Sequence, residues 1–211
     1  MKKVTSVLLG ITAILVIAVA FLPTPGKSLI EDFFVQPTYN SLSGREGSDG
    51  PILAVKIDDT VAARPQIGLD RADIVYIEQV EGGLTRLAAI FSSEIPQLIG
   101  PIRSARITDI EVLSQYGTVV FAYSGAQSKF LPVIRAANLH DYGAQRQSPT
   151  IYTRDETRFS PTNMVLRADL LMEKVIADEK TVSQSSPNEW TFGDRPEGGT
   201  PISEAKVLWP A

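Results

Sequence analysis

The sequence predicts an α/β domain: a mixed sheet with a β-hairpin, covered by helices. Three observations carry that expectation. Two runs rich in β-branched and aromatic residues, about 73–80 and 84–91, flank Gly82-Gly83 as the arms of a tight hairpin would. Two short apolar runs, ILAVKI at 52–57 and TVVFAY at 118–123, read as buried strands. Interleaved with them are segments whose apolar residues recur every three or four positions, and strands alternating with helices give a layered sheet.

The elements follow in order. Lys2 and Lys3 precede an uncharged, mostly apolar run over 4–22, close to the roughly 20 residues that cross a bilayer as a helix. Residues 1–23 are therefore expected to be a membrane anchor or signal segment. The lysines orient it with the rest of the chain outside the cytoplasm. Ala18-Val19-Ala20 also fits a small-residue cleavage site, so a retained anchor and a cleaved signal peptide both stand. Pro23 and Pro25 end the segment. Residues 24–50 mix Pro, Ser, Gly and Asn without a sustained period and read as a linker.

The strand at 52–57 closes on Asp58-Asp59, and 63–69 is a Pro- and Gly-punctuated loop leading into the hairpin. After the hairpin, a helix is expected to begin at Ser104 or at Thr108, where Glu111 has capping-box spacing; Ile107, Ile110 and Leu113 supply its apolar stripe. Gly117 stops it. The strand at 118–123 leads through Ser124-Gly125 to a helix over about 127–137. Residues 138–157 read as polar and irregular. A last helix is expected over about 165–178, with Leu166, Leu170, Leu171 and Val175 on its apolar side, and 183–187 as loop.

Composition bounds the function. Hydrophobic residues at 44% and charged residues at 21% suit a globular chain that buries one core. The net charge is −4, and −6 (−4 − 2) without Lys2 and Lys3, which argues against broad contact with a nucleic-acid backbone. A local basic site is still allowed. With no cysteine, disulfides, thiolate chemistry, Cys-ligated zinc and a lipid-modified cysteine are excluded within these 211 residues.

The candidate chemistry is sparse. His140 is the sole histidine, and a surface or capping role suits it better than acid–base work without a placed partner. Ser124-Gly125 follows a strand, but the G-x-S-x-G pattern of a nucleophile turn is absent. Asp58, Asp59, Asp73, Glu78 and Glu81 offer oxygen ligands without EF-hand spacing; turn bonds and arginine partners explain them more simply, and no metal or other cofactor is expected. Gly82-Gly83 is explained by the hairpin, and Trp190 and Trp209 by packing. Arg86, Arg103, Ser104 and Arg106 carry more information. Arginine forks, a serine hydroxyl and unpaired backbone N–H groups at a helix start suit a phosphate or carboxylate. The competing role is structural, with the arginines tying hairpin, loop and helix together through Asp73, Glu78 and Glu81.

The strings ARPQIGLDRADIVY, VEGGLTRLAAIF and GPIRSAR, in this order, resemble the YerB-like lipoprotein family, domain of unknown function 3048. Tyr123-Ser124-Gly125 is similar to the family's serine-glycine segment, with Ala126 where a second glycine is common. Phe159-Ser160-Pro161-Thr162-Asn163 is similar to a segment with a Pro-His-Asn core, with Thr162 in place of the histidine, so no chemistry of that histidine carries over. The resemblance implies a YerB-like N-terminal domain over 51–200, with 201–211 opening a truncated C-terminal domain. It implies an envelope-associated protein without an established activity.

The resulting expectation is a membrane-tethered extracytoplasmic protein that binds an anionic cell-envelope ligand through its arginine cluster, and not nucleic acid. Two alternatives stand beside it. One is a metal-assisted phosphoryl-transfer or hydrolytic enzyme acting on envelope polymers. The other is a structural partner in a membrane complex.

Overall fold

A computed structural model describes residues 38–186, 192–193 and 197–206. The expected anchor at 1–23, Trp190, and Val207 and Trp209 of the expected C-terminal strand lie outside the described residues. No helix among the described residues is long and apolar enough to cross a membrane.

The strands are β1 (Leu53–Asp58), β2 (Ile74–Gln79), β3 (Thr85–Phe91), β4 (Leu98–Ile99), β5 (Val119–Ala122), β6 (Leu139–Asp141), β7 (Tyr152–Arg154) and β8 (Met164–Arg167). The α-helices are α1 (Thr108–Ser114), α2 (Leu131–Ala136) and α3 (Ala168–Ala177). A five-stranded mixed sheet has the order β2-β3-β1-β5-β6, and a three-stranded antiparallel sheet the order β4-β8-β7. In the larger sheet β2, β3 and β1 run antiparallel, while β1, β5 and β6 are parallel.

Every residue of β1 is buried because both faces of the central strand are covered. Leu53, Val55 and Ile57 pack with Leu87, Ala89, Phe91, Val120 and Ala122 against Leu166, Leu171 and Val175 of β8 and α3. On the opposite face Ala54, Ile90, Val119 and Phe121 meet Leu113 of α1 and Ile134 of α2. Thus the α/β reading with a helix-covered mixed sheet holds, and the second sheet adds to it.

Several local expectations need correction. The stretch 165–178 is not one helix: it is β8 followed directly by α3. The stretch 138–157 holds β6 and β7, each three residues long. Helix α2 covers only the second half of 127–137. Residues 38–50, within the expected linker, fold against the domain: Leu42 is buried, and the Asn40 side-chain amide donates to the hydroxyls of Ser92 (3.4 Å) and Ser185 (3.1 Å).

The hairpin forms with β2 and β3 in the register Gln79↔Thr85. Its last bond, from the Val80 N–H to the Leu84 carbonyl (2.8 Å), closes a three-residue loop in place of the tighter two-residue turn. Gly82 (φ 75°) and Gly83 (φ 71°) are both left-handed. In that backbone region a side chain's Cβ crowds its own residue's carbonyl oxygen, so Gly83→Val should lower stability by about 1–2 kcal/mol. An unchanged unfolding midpoint would show that the loop readily adopts another path.

Candidate functional site

The site is built where the parallel strands end. The chain leaves β1 for its antiparallel neighbours on one side and then crosses to β5 on the other. In open α/β sheets that crossing, at the carboxyl ends of the strands, is where ligands sit. Here the segment 101–105 fills the fork between β1 and β5. Asp58 N–H donates to the Pro101 carbonyl (2.9 Å), Arg103 N–H to Lys56 (2.8 Å), Ser124 N–H to Arg103 (2.9 Å) and Ala105 N–H to Gly125 (2.7 Å).

On the α1 face the sheet ends in a charged row across three strands, Glu78↔Arg86↔Asp58. The row behind it is Tyr76↔Ala88↔Lys56. Lys56 is fully buried, and its Nζ lies 2.7 Å from Glu78 Oε1 and 2.8 Å from Asp109 Oδ1. Thr108 donates its hydroxyl to Glu78 (2.6 Å), and the Arg106 N–H donates to Asp109 Oδ2 (2.6 Å). One lysine thus holds two carboxylates away from water. Burial, with Glu78 adding to it against the pull of Lys56, pushes Asp109 up to about 6. Burial also opposes ionisation of Glu78, but Lys56 together with the hydrogen bonds from Thr108 and Asp109 outweighs it and holds Glu78 below its ordinary value.

A pH dependence follows from these directions. Stability from the raised Asp109 is fully present below its ordinary value of 3.8 and is lost as pH rises through about 6. Stability from the lowered Glu78 is present above 4.5 and is lost as pH falls through its folded value. Asp109→Asn retains a side-chain acceptor and removes only the first titration. Between pH 5 and 7.5 the wild-type protein should therefore lose about 1 kcal/mol of unfolding free energy relative to the variant. Parallel curves for the two proteins in denaturant titrations would contradict this.

The three expected arginines gather at this end of the sheet, in unequal states. Arg106 donates from Nε (3.0 Å) and Nη2 (2.8 Å) to Glu81 Oε2 and from Nη1 to the Ala105 carbonyl (3.0 Å). Its donors are committed. Arg103 places Nε 2.7 Å from the buried Asp58 Oδ2. Its Nη groups make no hydrogen bond among the described residues, and its side chain is 25% exposed. Arg86 is buried and forms no ion pair among them, and its Nη1 is sealed from water without a hydrogen-bond partner. Burial first, then the like charges of Arg106 and Arg103, hold Arg86 below the usual arginine value against the weaker attraction of Asp58 and Glu81. The Ser104 side chain, half-buried beside Arg103, is likewise without a polar partner among the described residues.

The helix-start argument for this cluster does not hold. Helix α1 begins at Thr108, and the N–H groups of Arg103, Ala105 and Arg106 are already bonded to Lys56, Gly125 and Asp109. Nor does the Thr108–Glu111 capping box form, because the Thr108 hydroxyl serves Glu78. Any anion here would be held by side chains.

The remaining candidates have separate partners. Asp73 anchors the 92–93 turn, accepting from the N–H groups of Ser92 (2.7 Å) and Ser93 (2.8 Å), and also takes the Ser43 hydroxyl (2.6 Å); it meets no arginine among the described residues. Asp59 accepts from Arg64 (2.9 Å) and Thr85 (2.6 Å). His140 Nε2–H donates to the Thr181 carbonyl (2.8 Å). Thr162 closes its own turn onto the Phe159 carbonyl (2.9 Å). Sequence reasoning missed Lys56 and Asp109. The available signal was a lone lysine inside an apolar strand, which burial obliges to find carboxylates.

Comparison with known proteins agrees with this architecture. The family model described as "Protein of unknown function (DUF3048) N-terminal domain" matches residues 40–183, more than half of the chain. The chain belongs to this family. Within DUF3048, the crystal structure of YerB from Bacillus subtilis superposes with a TM-score of 0.63 at 25% identity, covering 71% of this chain and 53% of that one. The curated Bacillus subtilis (strain 168) protein named "Putative lipoprotein YerB" is 50% identical over 54 residues, 26% of this chain and 16% of the relative. This DUF3048 chain therefore spans about half the length of the crystallised YerB chain.

Proposed function

We propose that this chain is a membrane-tethered, extracytoplasmic binding module for an anionic cell-envelope ligand, held through a phosphate or carboxylate group. Arg86, Arg103 and Ser104 supply the donors, and Arg106, fixed by Glu81, adds positive field beside them. The observation that carries the reading is Arg86. A buried guanidinium whose Nη1 has no acceptor among the described residues and whose charge Asp58 and Glu81 offset only in part is costly in an empty site and favourable once an anion joins it. The tether rests on the apolar run at 4–22 behind two lysines and on the lipoprotein name of the YerB relative. A metal-assisted reaction is less favoured, because Asp58, Glu78 and Glu81 each already face a cation.

The test is calorimetric titration of the full chain in non-ionic detergent with a soluble phosphate monoester. Arg103→Lys keeps a charge opposite Asp58 but loses both Nη groups, so affinity should fall by about 1–3 kcal/mol. Arg106→Lys should lower the melting midpoint and leave affinity within about 0.5 kcal/mol. Equal affinity in wild type and Arg103→Lys would contradict the assignment.

A further inference from the structure

A second charged concavity lies at the outer edge of the large sheet. A cavity of about 530 Å³ opens beside the edge strand β6, between the C-terminal ends of α2 and α3. None of its lining residues belongs to the arginine cluster described above. Its size lies within the roughly 300–1,000 Å³ of small-ligand sites.

Four cations, Arg135, Arg146, Lys174 and Lys180, line it with two acids, Asp141 and Asp178. The acids are already engaged. Asp141 accepts from the Tyr123 hydroxyl (2.8 Å), the Gly143 N–H (3.1 Å) and Arg146 Nη1 (2.8 Å). Asp178 accepts from Lys174 Nζ (3.0 Å) and the Tyr142 hydroxyl (2.9 Å). They fix Arg146 and Lys174 in place, while Lys180 acts on Asp178 only at longer range and neither it nor Arg135 is bonded to an acid among the described residues. The side chains of Arg135, on α2, and Lys180, in the segment after α3, make no hydrogen bond or ion pair among the described residues. The lining is thus net positive by two charges (4 − 2) in a chain whose net charge is −4. A concave surface with an excess of one sign concentrates the opposite ion.

We infer that this groove is a second anion site, suited to a compact multivalent anion of the diphosphate class bridging Arg135 and Lys180, with Arg146 and Lys174 held ready on its walls. A single carboxylate would leave one of the two unmatched cations unsatisfied. A diphosphate presents enough oxygens to meet both, and the cavity leaves room for an attached group.

The probe is inorganic pyrophosphate, titrated calorimetrically into the full chain in non-ionic detergent at about 0.15 M ionic strength, where non-specific surface attraction is screened. Saturable binding is expected, and the double variant Arg135→Gln/Lys180→Gln should weaken it by about tenfold or more. Arg86→Met separates the two sites. Binding that survives Arg86→Met and is lost in the double variant assigns pyrophosphate to the groove, whether or not the arginine cluster binds anything. Absence of saturable binding, or binding unchanged in the double variant, overturns the inference. A role limited to complementing the two helix ends predicts a lower melting midpoint in the double variant with unaltered pyrophosphate affinity, and that result overturns it too.

Discussion

Replacing Lys56 by methionine should destabilise the fold by about 3–5 kcal/mol, the scale of removing one partner from a buried ion pair. Lys56 and Asp109 are fully buried, and Glu78 nearly so. Methionine fills much the same space, so the loss is electrostatic: two carboxylates are left facing each other away from water. Because protonation relieves that repulsion, the deficit should be smaller at pH 4 than at pH 7.5. Adding Glu78→Gln and Asp109→Asn should recover much of it, since no uncompensated charge then remains. Denaturant titrations of the single and triple variants at both pH values check this. A Lys56→Met midpoint equal to the wild-type value at pH 7.5 would mean that the trio is open to water.

The same trio shows why a strand can be legible while its role is not. The run at 52–57 declares a buried strand by its apolar content, and β1 occupies it almost residue for residue. Nothing local says that Lys56 points toward α1, because that depends on pairing with β3 and on a helix more than fifty residues later. The hairpin was legible for the opposite reason: its register and its glycines are local. Strand β8 was not, because Leu166, Leu170, Leu171 and Val175 keep a helical spacing across the β8–α3 junction, with no Gly or Pro to mark it. Its extended form comes from pairing with β4 and β7, which are distant or too short to show a period.

At the candidate site, arginine identity and neighbourhood could be read from the strings around Gly82 and Pro101, since the hairpin and the segment after Pro101 meet at one sheet end. The partners could be read only in part: Glu81, an expected partner, takes Arg106. Asp73 is the nearest acid to the hairpin start, yet it turns to Ser43, Ser92 and Ser93, while Asp58, one of the five acids for which turn bonds or arginine partners are expected, receives Arg103. Which arginine stays unmatched is decided by cross-strand register. Arg86 stands between Glu78 and Asp58, whose close ion pairs go to Lys56 and Arg103, so Asp58 attracts Arg86 only from beyond ion-pair distance.

Arg86 accordingly carries the central claim. In the fold its charge is disfavoured, by burial and by Arg106 and Arg103, while its Nη1 has no acceptor among the described residues. An arginine that served only to staple strands would be matched, and removing it would weaken the protein. An arginine held for a ligand is a cost to the empty protein, so removing it relieves the fold and abolishes a strong charge-assisted contact. The most direct measurement is a paired one on Arg86→Met: thermal melting without ligand, and calorimetric titration with the soluble phosphate monoester. The account predicts a melting midpoint equal to or above the wild-type value, with stability raised by up to about 1–2 kcal/mol, together with phosphate affinity reduced by about 1.5–3 kcal/mol. A lowered midpoint with unchanged phosphate affinity would contradict it and make Arg86 a staple of the sheet.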